Sequence, residues 1–167
     1  MPGSWLLPAL GIALSATAAP DSLTLRNLHT GEVRTVSGWR EPATSAPALE
    51  GARGVLRDHR DGAEHPIDPK LLDLLVEVAA RCETPPDYEV ISGYRSPRSN
   101  AAMHARSAGV AAKSQHVEGR AIDVRLKGCE LARLNAIGLE LNAGGVGYYP
   151  RSRWVHFDTG RPRHWSE

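Results

Sequence analysis

Three stretches of the 167-residue chain carry side chains whose types and spacing suit hydrolytic chemistry. Ala121-Ile122-Asp123-Val124-Arg125-Leu126 alternates, so Ile122, Val124 and Leu126 take the core face of a strand and Asp123 the other face. In Trp154-Val155-His156-Phe157-Asp158 the same rule sends Val155 and Phe157 inward and turns Trp154, His156 and Asp158 outward. Positions two apart on a strand lie about 6.5–7 Å from each other. The third stretch, Ser114-Gln115-His116-Val117-Glu118-Gly119-Arg120, precedes the Asp123 strand, and Gly119 permits a sharp turn that folds His116 back over it. If the two strands are neighbours, Asp123, His156 and Asp158 share one surface with His116 above it. Two imidazoles and one carboxylate leave a fourth position open on a tetrahedral ion, which is the pattern of catalytic zinc rather than structural zinc. Asp158 is placed either to act as general base or to orient a ligand imidazole, and both readings stay open. His104, on a helix near Arg95, is a third candidate base. His29, His59, His65 and His164 read as surface residues.

These side chains need a frame, and local signals supply one. Leu23, Leu25, Val33 and Val36 flank His29-Thr30-Gly31-Glu32, predicting two short strands around a turn. Residues 37–52, with Gly38, Pro42, Pro47 and Gly51, read as an irregular wrapping segment. Asp68-Pro69 is a helix start, and Leu71, Leu72, Leu74, Leu75, Val78 and Ala79 give that helix an apolar face before Thr84-Pro85-Pro86 stops it. Tyr88 to Ile91 is a strand leading into the Ser92-Gly93-Tyr94-Arg95 turn, and Ser96-Pro97 opens a helix to about Arg106. A strand to Leu126, a helix from Glu130 to Asn142 and strands near Val146–Tyr149 and Trp154–Asp158 complete the order. The fold class is α+β: a small antiparallel sheet with helices packed on one side.

Composition narrows the setting. Lys+Arg 20 against Asp+Glu 19 leaves a net charge of +1, so no nucleic-acid partner is expected. Residues 1–20 contain no charged side chain, and the apolar Trp5–Leu14 stretch is followed by Ala16-Thr17-Ala18. That pattern predicts a signal peptide over residues 1–18, cleaved after Ala18, and a single domain over 19–167. No apolar run reaches the roughly 18–20 residues a membrane span needs. Outside the cytoplasm, Cys82 and Cys129 are expected either as one disulfide or as two buried thiols; neither lies in a CxxC. Trp154 shares its face with His156 and is placed to floor a groove.

Ser92-Gly93-Tyr94-Arg95-Ser96, Ser114-x-His116-x-x-Gly119-x-Ala121-x-Asp123, Gly145-Val146-Gly147-Tyr148-Tyr149-Pro150 and Val155-His156-x-Asp158-Thr159-Gly160 together resemble the MepK-type murein endopeptidases. These sit in the wider group of D-Ala-D-Ala metallopeptidases related to the hedgehog-type zinc domain, and the resemblance runs from about Leu23 to Trp165. It implies one zinc ion per chain, held by His116, Asp123 and His156, in an exported, periplasmic enzyme that cuts peptide stems or cross-links of peptidoglycan. It also gives Arg95 a role, binding a stem carboxylate or the developing oxyanion, with Tyr94 and Trp154 as substrate contacts and Ser92 and Ser114 shaping turns. The chain departs from many members of the wider group in one respect. Ser152, Arg153, Trp154 and Val155 offer no acid or His just ahead of His156, so Asp158 is the carboxylate left to serve. Loss of a base with retention of ligands is also how a non-catalytic zinc-containing cell-wall or partner-binding module would look, which is the alternative reading.

Overall fold

The computed structural model describes residues 21–107 and 110–167, so the signal-peptide expectation lies outside the described residues. The chain runs β1 (Ser22–Asn27), β2 (Val33–Ser37), α1 (Ser45–Val55), α2 (Pro69–Arg81), β3 (Asp87–Ser92), α3 (Pro97–Arg106), β4 (Ala121–Leu126), α4 (Leu131–Leu141), β5 (Gly145–Tyr149), β6 (Trp154–Asp158) and β7 (Arg163–Ser166). All seven strands join one sheet in the order β2-β1-β3-β4-β6-β5-β7.

Local chemistry sets most of the element boundaries. The Asp68 side chain accepts from Lys70 N at 3.0 Å and Pro69 starts α2, while Ser96 Oγ accepts from Ser99 N at 3.1 Å ahead of Pro97 in α3. In the β1–β2 turn Asn27 Oδ1 accepts from the backbone of His29 and Thr30, and its amide donates to Val55 O at 3.0 Å, tying the hairpin to α1.

The sheet differs from the expected small antiparallel one. β1 pairs parallel with β3, and β5 pairs parallel with β7, so the sheet is mixed as well as larger. A parallel neighbour needs a crossover, and α1 and α2 lie in the one between β1 and β3. The supposed wrapping segment is therefore half helix: Pro47 falls in the first turn of α1, where its missing N–H costs nothing, and Ala48, Ala52 and Val55 form the buried stripe. β7 escaped notice because four residues, Arg-His-Trp-Ser, give too short a run for alternation to register.

Leu25, Tyr88, Val90, Ile122, Val124, Val155 and Phe157 line the core face of the sheet and join one cluster with Leu71, Leu72 and Leu75 of α2 and Leu134 and Ile137 of α4. Tyr88 is fully buried and its hydroxyl donates to Leu75 O at 2.6 Å. Cys82, at the end of α2, forms a disulfide with Cys129, which precedes α4, across a separation of 47 residues. Closing a loop of that length restrains the denatured chain by about 4 kcal/mol in the entropy model, and observed effects run somewhat lower. A Cys82→Ser/Cys129→Ser protein is accordingly expected to melt roughly 5–15 °C below the parent by calorimetry. A melting temperature within about 2 °C of the parent would contradict this.

Candidate metal centre and its cleft

The core face of the sheet leaves its opposite face free for chemistry. Strand pairing sets Ser92 beside Asp123, Asp123 beside His156, His156 beside Gly147 and Gly147 beside Trp165. One rung thus crosses five strands, and the two ligand-type side chains of β4 and β6 stand directly opposite each other on it. His116 arrives from the loop before β4. Gly119 closes that loop with φ +65°, and a Cβ there would meet Pro66 O at 2.1 Å, so no other residue fits. Ser114 Oγ accepts from His116 N at 3.3 Å, and Arg95 N donates to His116 O at 3.1 Å, holding the loop against the Ser92–Arg95 turn.

His116, Asp123 and His156 are all buried, and one ligand atom from each lies within 4.8 Å of the others. His116 Nε2 is 3.3 Å from Asp123 Oδ1 and 3.2 Å from His156 Nδ1, which is 2.9 Å from the same carboxylate oxygen. The outer nitrogens fix the tautomers. His116 Nδ1 lies 2.7 Å from Gly93 O, a carbonyl that only accepts, so this nitrogen carries the proton. His156 Nε2 lies 2.9 Å from Asp158 Oδ2 and carries its proton for the same reason. His116 Nε2, His156 Nδ1 and a carboxylate oxygen of Asp123 therefore converge on one point. A tetrahedral site with bonds of about 2.0–2.1 Å has edges of about 3.3 Å, so this donor set fits a single small divalent ion.

Electrostatics agree with the geometry. Burial alone would raise the Asp123 carboxyl, but the His116 and His156 imidazoles outweigh it and hold the carboxyl well below the usual range. Burial lowers His116. For His156 burial acts the same way, yet hydrogen bonds to Asp123 and Asp158 raise it overall.

Asp158 lies beneath the cleft rather than in it. It is fully buried, and it does not line the cleft. Its Oδ1 accepts from Gly145 N at 3.0 Å, Gly160 N at 2.8 Å and Arg163 Nη1 at 3.1 Å, while Oδ2 accepts from His156 Nε2 and, at 2.7 Å, from Arg163 Nη2. Five donors saturate both oxygens, and against the opposing pull of burial they hold the carboxyl well below its ordinary range. Of the two roles open to Asp158, orienting His156 is the one its surroundings allow.

His116, Asp123, His156, Arg95 and Trp154 all line one cavity of about 670 Å³. Arg95 is buried, 7% exposed; its Nη1 donates to Asn100 Oδ1 at 3.2 Å, its Nη2 sits 4.0 Å from Asp123 Oδ2, and its Nε has no hydrogen-bond partner among the described residues. Desolvation lowers its pKa, with Asp123 acting in the opposite direction. Trp154 stacks on Tyr149 with ring centroids 3.7 Å apart. Tyr94, by contrast with Trp154, is buried, stacks on His65 at 5.0 Å and does not line this cavity. His104 is exposed, with Nδ1 2.6 Å from Val110 O, and lines a neighbouring cavity instead. His164 and His29 are exposed as expected, whereas His59 and His65 are half-buried, His59 through stacking on His29 at 3.7 Å.

Sequence reasoning missed the contribution of β7. Arg163 reaches over β5 to Asp158, and Trp165 lies with its ring 5.1 Å from that of His156. Both depend on bare backbone beneath them. A Cβ on Gly145 would sit 2.4 Å from Asp158 Oδ2 and 2.5 Å from Arg163 Nη1, and one on Gly147 would sit 2.6 Å from the Trp165 indole. The signal was present as Gly145-x-Gly147 inside a strand, a spacing that marks side chains from a neighbour crossing the same face.

A sheet presenting two imidazoles and a carboxylate to a cleft, beside a buried guanidinium, puts this chain among the metallopeptidases. It belongs to the peptidoglycan L,D-endopeptidase MepK family, whose model matches residues 15–165. It is 40% identical over 163 residues to peptidoglycan L,D-endopeptidase MepK of Escherichia coli K12, covering 98% of this chain and 90% of that protein. A Haemophilus influenzae protein named probable peptidoglycan L,D-endopeptidase MepK is 36% identical over 164 residues, covering 98% of this chain and 88% of its own length. No solved structure matches the chain significantly.

Proposed function

We propose that this protein is an exported, periplasmic zinc endopeptidase that hydrolyses peptide cross-links or stem peptides of peptidoglycan, with residues 1–18 as its signal peptide. The observation that carries the reading is the convergence of His116 Nε2, Asp123 Oδ1 and His156 Nδ1 on tetrahedral-edge distances in an open cleft. Zinc held there would supply Lewis acidity toward an amide carbonyl and a water reactive at neutral pH. The protein's own groups do the rest. Trp154, braced by Tyr149, gives a peptide a flat apolar floor. Arg95, desolvated and with Nε unpaired, presents a planar donor to the oxygen on which charge gathers. Asp123 is the only carboxylate lining the cleft among the described residues, and its carboxyl, held well below the usual range by the two imidazoles, suits holding the metal rather than carrying a proton. No described helix is long and apolar enough to cross a membrane.

The test is incubation of the mature protein, loaded with zinc, with cross-linked muropeptides. Separated monomers are the expected product; intact dimers with one equivalent of zinc bound would instead favour a non-catalytic zinc module. Asp158→Asn keeps the shape of the buried carboxylate but loses its charge against Arg163 and His156. Zinc affinity and hydrolysis are expected to fall together by about 10- to 100-fold. A variant that bound zinc as the parent does yet lost all activity would return Asp158 to the chemistry.

A further inference from the structure

Among the polar groups lining the cleft that the chemistry so far does not use is the Tyr149 hydroxyl. Tyr149 ends β5 opposite Trp154, and its ring is held against that indole at an interplanar angle of 20°. From β7, Trp165 Nε1 lies 2.7 Å from Tyr149 Oη. An indole N–H only donates, so Oη is the acceptor and the phenol's own proton must point elsewhere. Among the described residues none accepts it, and the side chain lines the same cavity as His116, Asp123, His156 and Arg95. Burial pushes the phenol's pKa up, and the negative charge of Asp123 adds to the rise against the pull of the Trp165 N–H. The hydroxyl thus stays protonated throughout the neutral range.

We propose that Tyr149 is a catalytic hydrogen-bond donor, its Oη–H directed at the carbonyl oxygen of the scissile amide. The stack on Trp154 and the bond from Trp165 fix the ring before substrate arrives, so aiming the donor costs no reorganisation when charge develops. Arg95 and Tyr149 then share that charge from two elements, the turn after β3 and the end of β5. No proton needs to change hands. Trp165 becomes a positioning residue, acting through the lone pair it occupies. The inference rests on the peptidase reading above and adds to it a residue with a stated role.

Tyr149→Phe removes Oη and keeps the stack. The expected result with a cross-linked muropeptide is a kcat reduced by about 10²-fold or more, with KM within about threefold of the parent. Zinc content and the near-ultraviolet circular dichroism of the tryptophans should not change. Trp165→Phe keeps Oη but frees it to turn, and a smaller kcat loss of about tenfold is expected, again without a change in KM. If Tyr149→Phe does not fold, the Trp165→Phe kinetics decide. A kcat within about threefold of the parent in the folded variant, or a raised KM at unchanged kcat, overturns the assignment of Tyr149 alone. A parent protein that leaves the peptide intact overturns it together with the peptidase reading.

Discussion

His156→Ala is expected to bind less than a tenth of an equivalent of zinc at about micromolar free metal and to cleave muropeptides at least about 10³-fold more slowly. The expectation follows from what His156 joins. Its Nδ1 faces Asp123 and His116, and its Nε2 donates to Asp158, which is buried beside Arg163. Removing the imidazole takes away one of three ligand atoms and also the group through which the Asp158 cluster acts on the site. Lewis acidity and water activation are worth several kcal/mol, and each 1.36 kcal/mol is a tenfold change in rate. Asp158 still keeps Arg163 and two backbone donors, so the strand pairing around it should hold. His116→Ala should lose zinc to the same extent without touching the Asp158 cluster. Zinc content by elemental analysis, circular dichroism and dimer cleavage would be read on both proteins. One equivalent of zinc and near-parental activity in either would remove the metal centre from the account.

The second large effect is expected at Arg95, and the informative replacement is lysine. Arg95→Lys keeps the charge and most of the stem, so the packing beneath it is little disturbed. What it loses is the planar fork. The guanidinium spends Nη1 on Asn100 and leaves Nε buried with no partner among the described residues, while Nη2 stays near Asp123. An ammonium cannot hold Asn100 and present a second donor into the cleft with the same fixed geometry. kcat/KM is expected to fall by about 10²–10³-fold, as for loss of a preorganised donor to a developing oxyanion, with zinc content unchanged. A lysine variant within about threefold of the parent would mean that charge alone, not geometry, is what the cleft requires.

How much of this was legible beforehand depended on the range of the signal. The inward and outward faces of β4 and β6 followed from alternation within six or fewer residues, and Asp123 and His156 lie where that alternation put them. The Asp68-Pro69 and Ser96-Pro97 starts were equally local, each a cap and a ring-fixed dihedral within two residues. Residue 47 misled because proline breaks a helix interior but suits a first turn, and only burial of Ala48, Ala52 and Val55 tells the two apart. Tyr94 neighbours Arg95 in sequence, yet it is buried against His65 while Arg95 lines the cleft, a divergence that adjacency alone does not record.

The sequence by itself determined which side chains share a face, because a strand's side-chain period of two is a property of its own backbone. It made the family legible because the residues that carry the resemblance lie in short ordered motifs. Only the tertiary structure decided that β6 lies between β4 and β5, and so that Asp123 and His156 stand opposite each other. It decided that β7 lends Arg163 and Trp165 across two glycines, and it turned Asp158 from a candidate base into a saturated anchor for His156. Those outcomes depend on partners brought in by strand order from other segments, such as Gly145 and Arg163. No periodicity within one segment records which other segment will lie beside it.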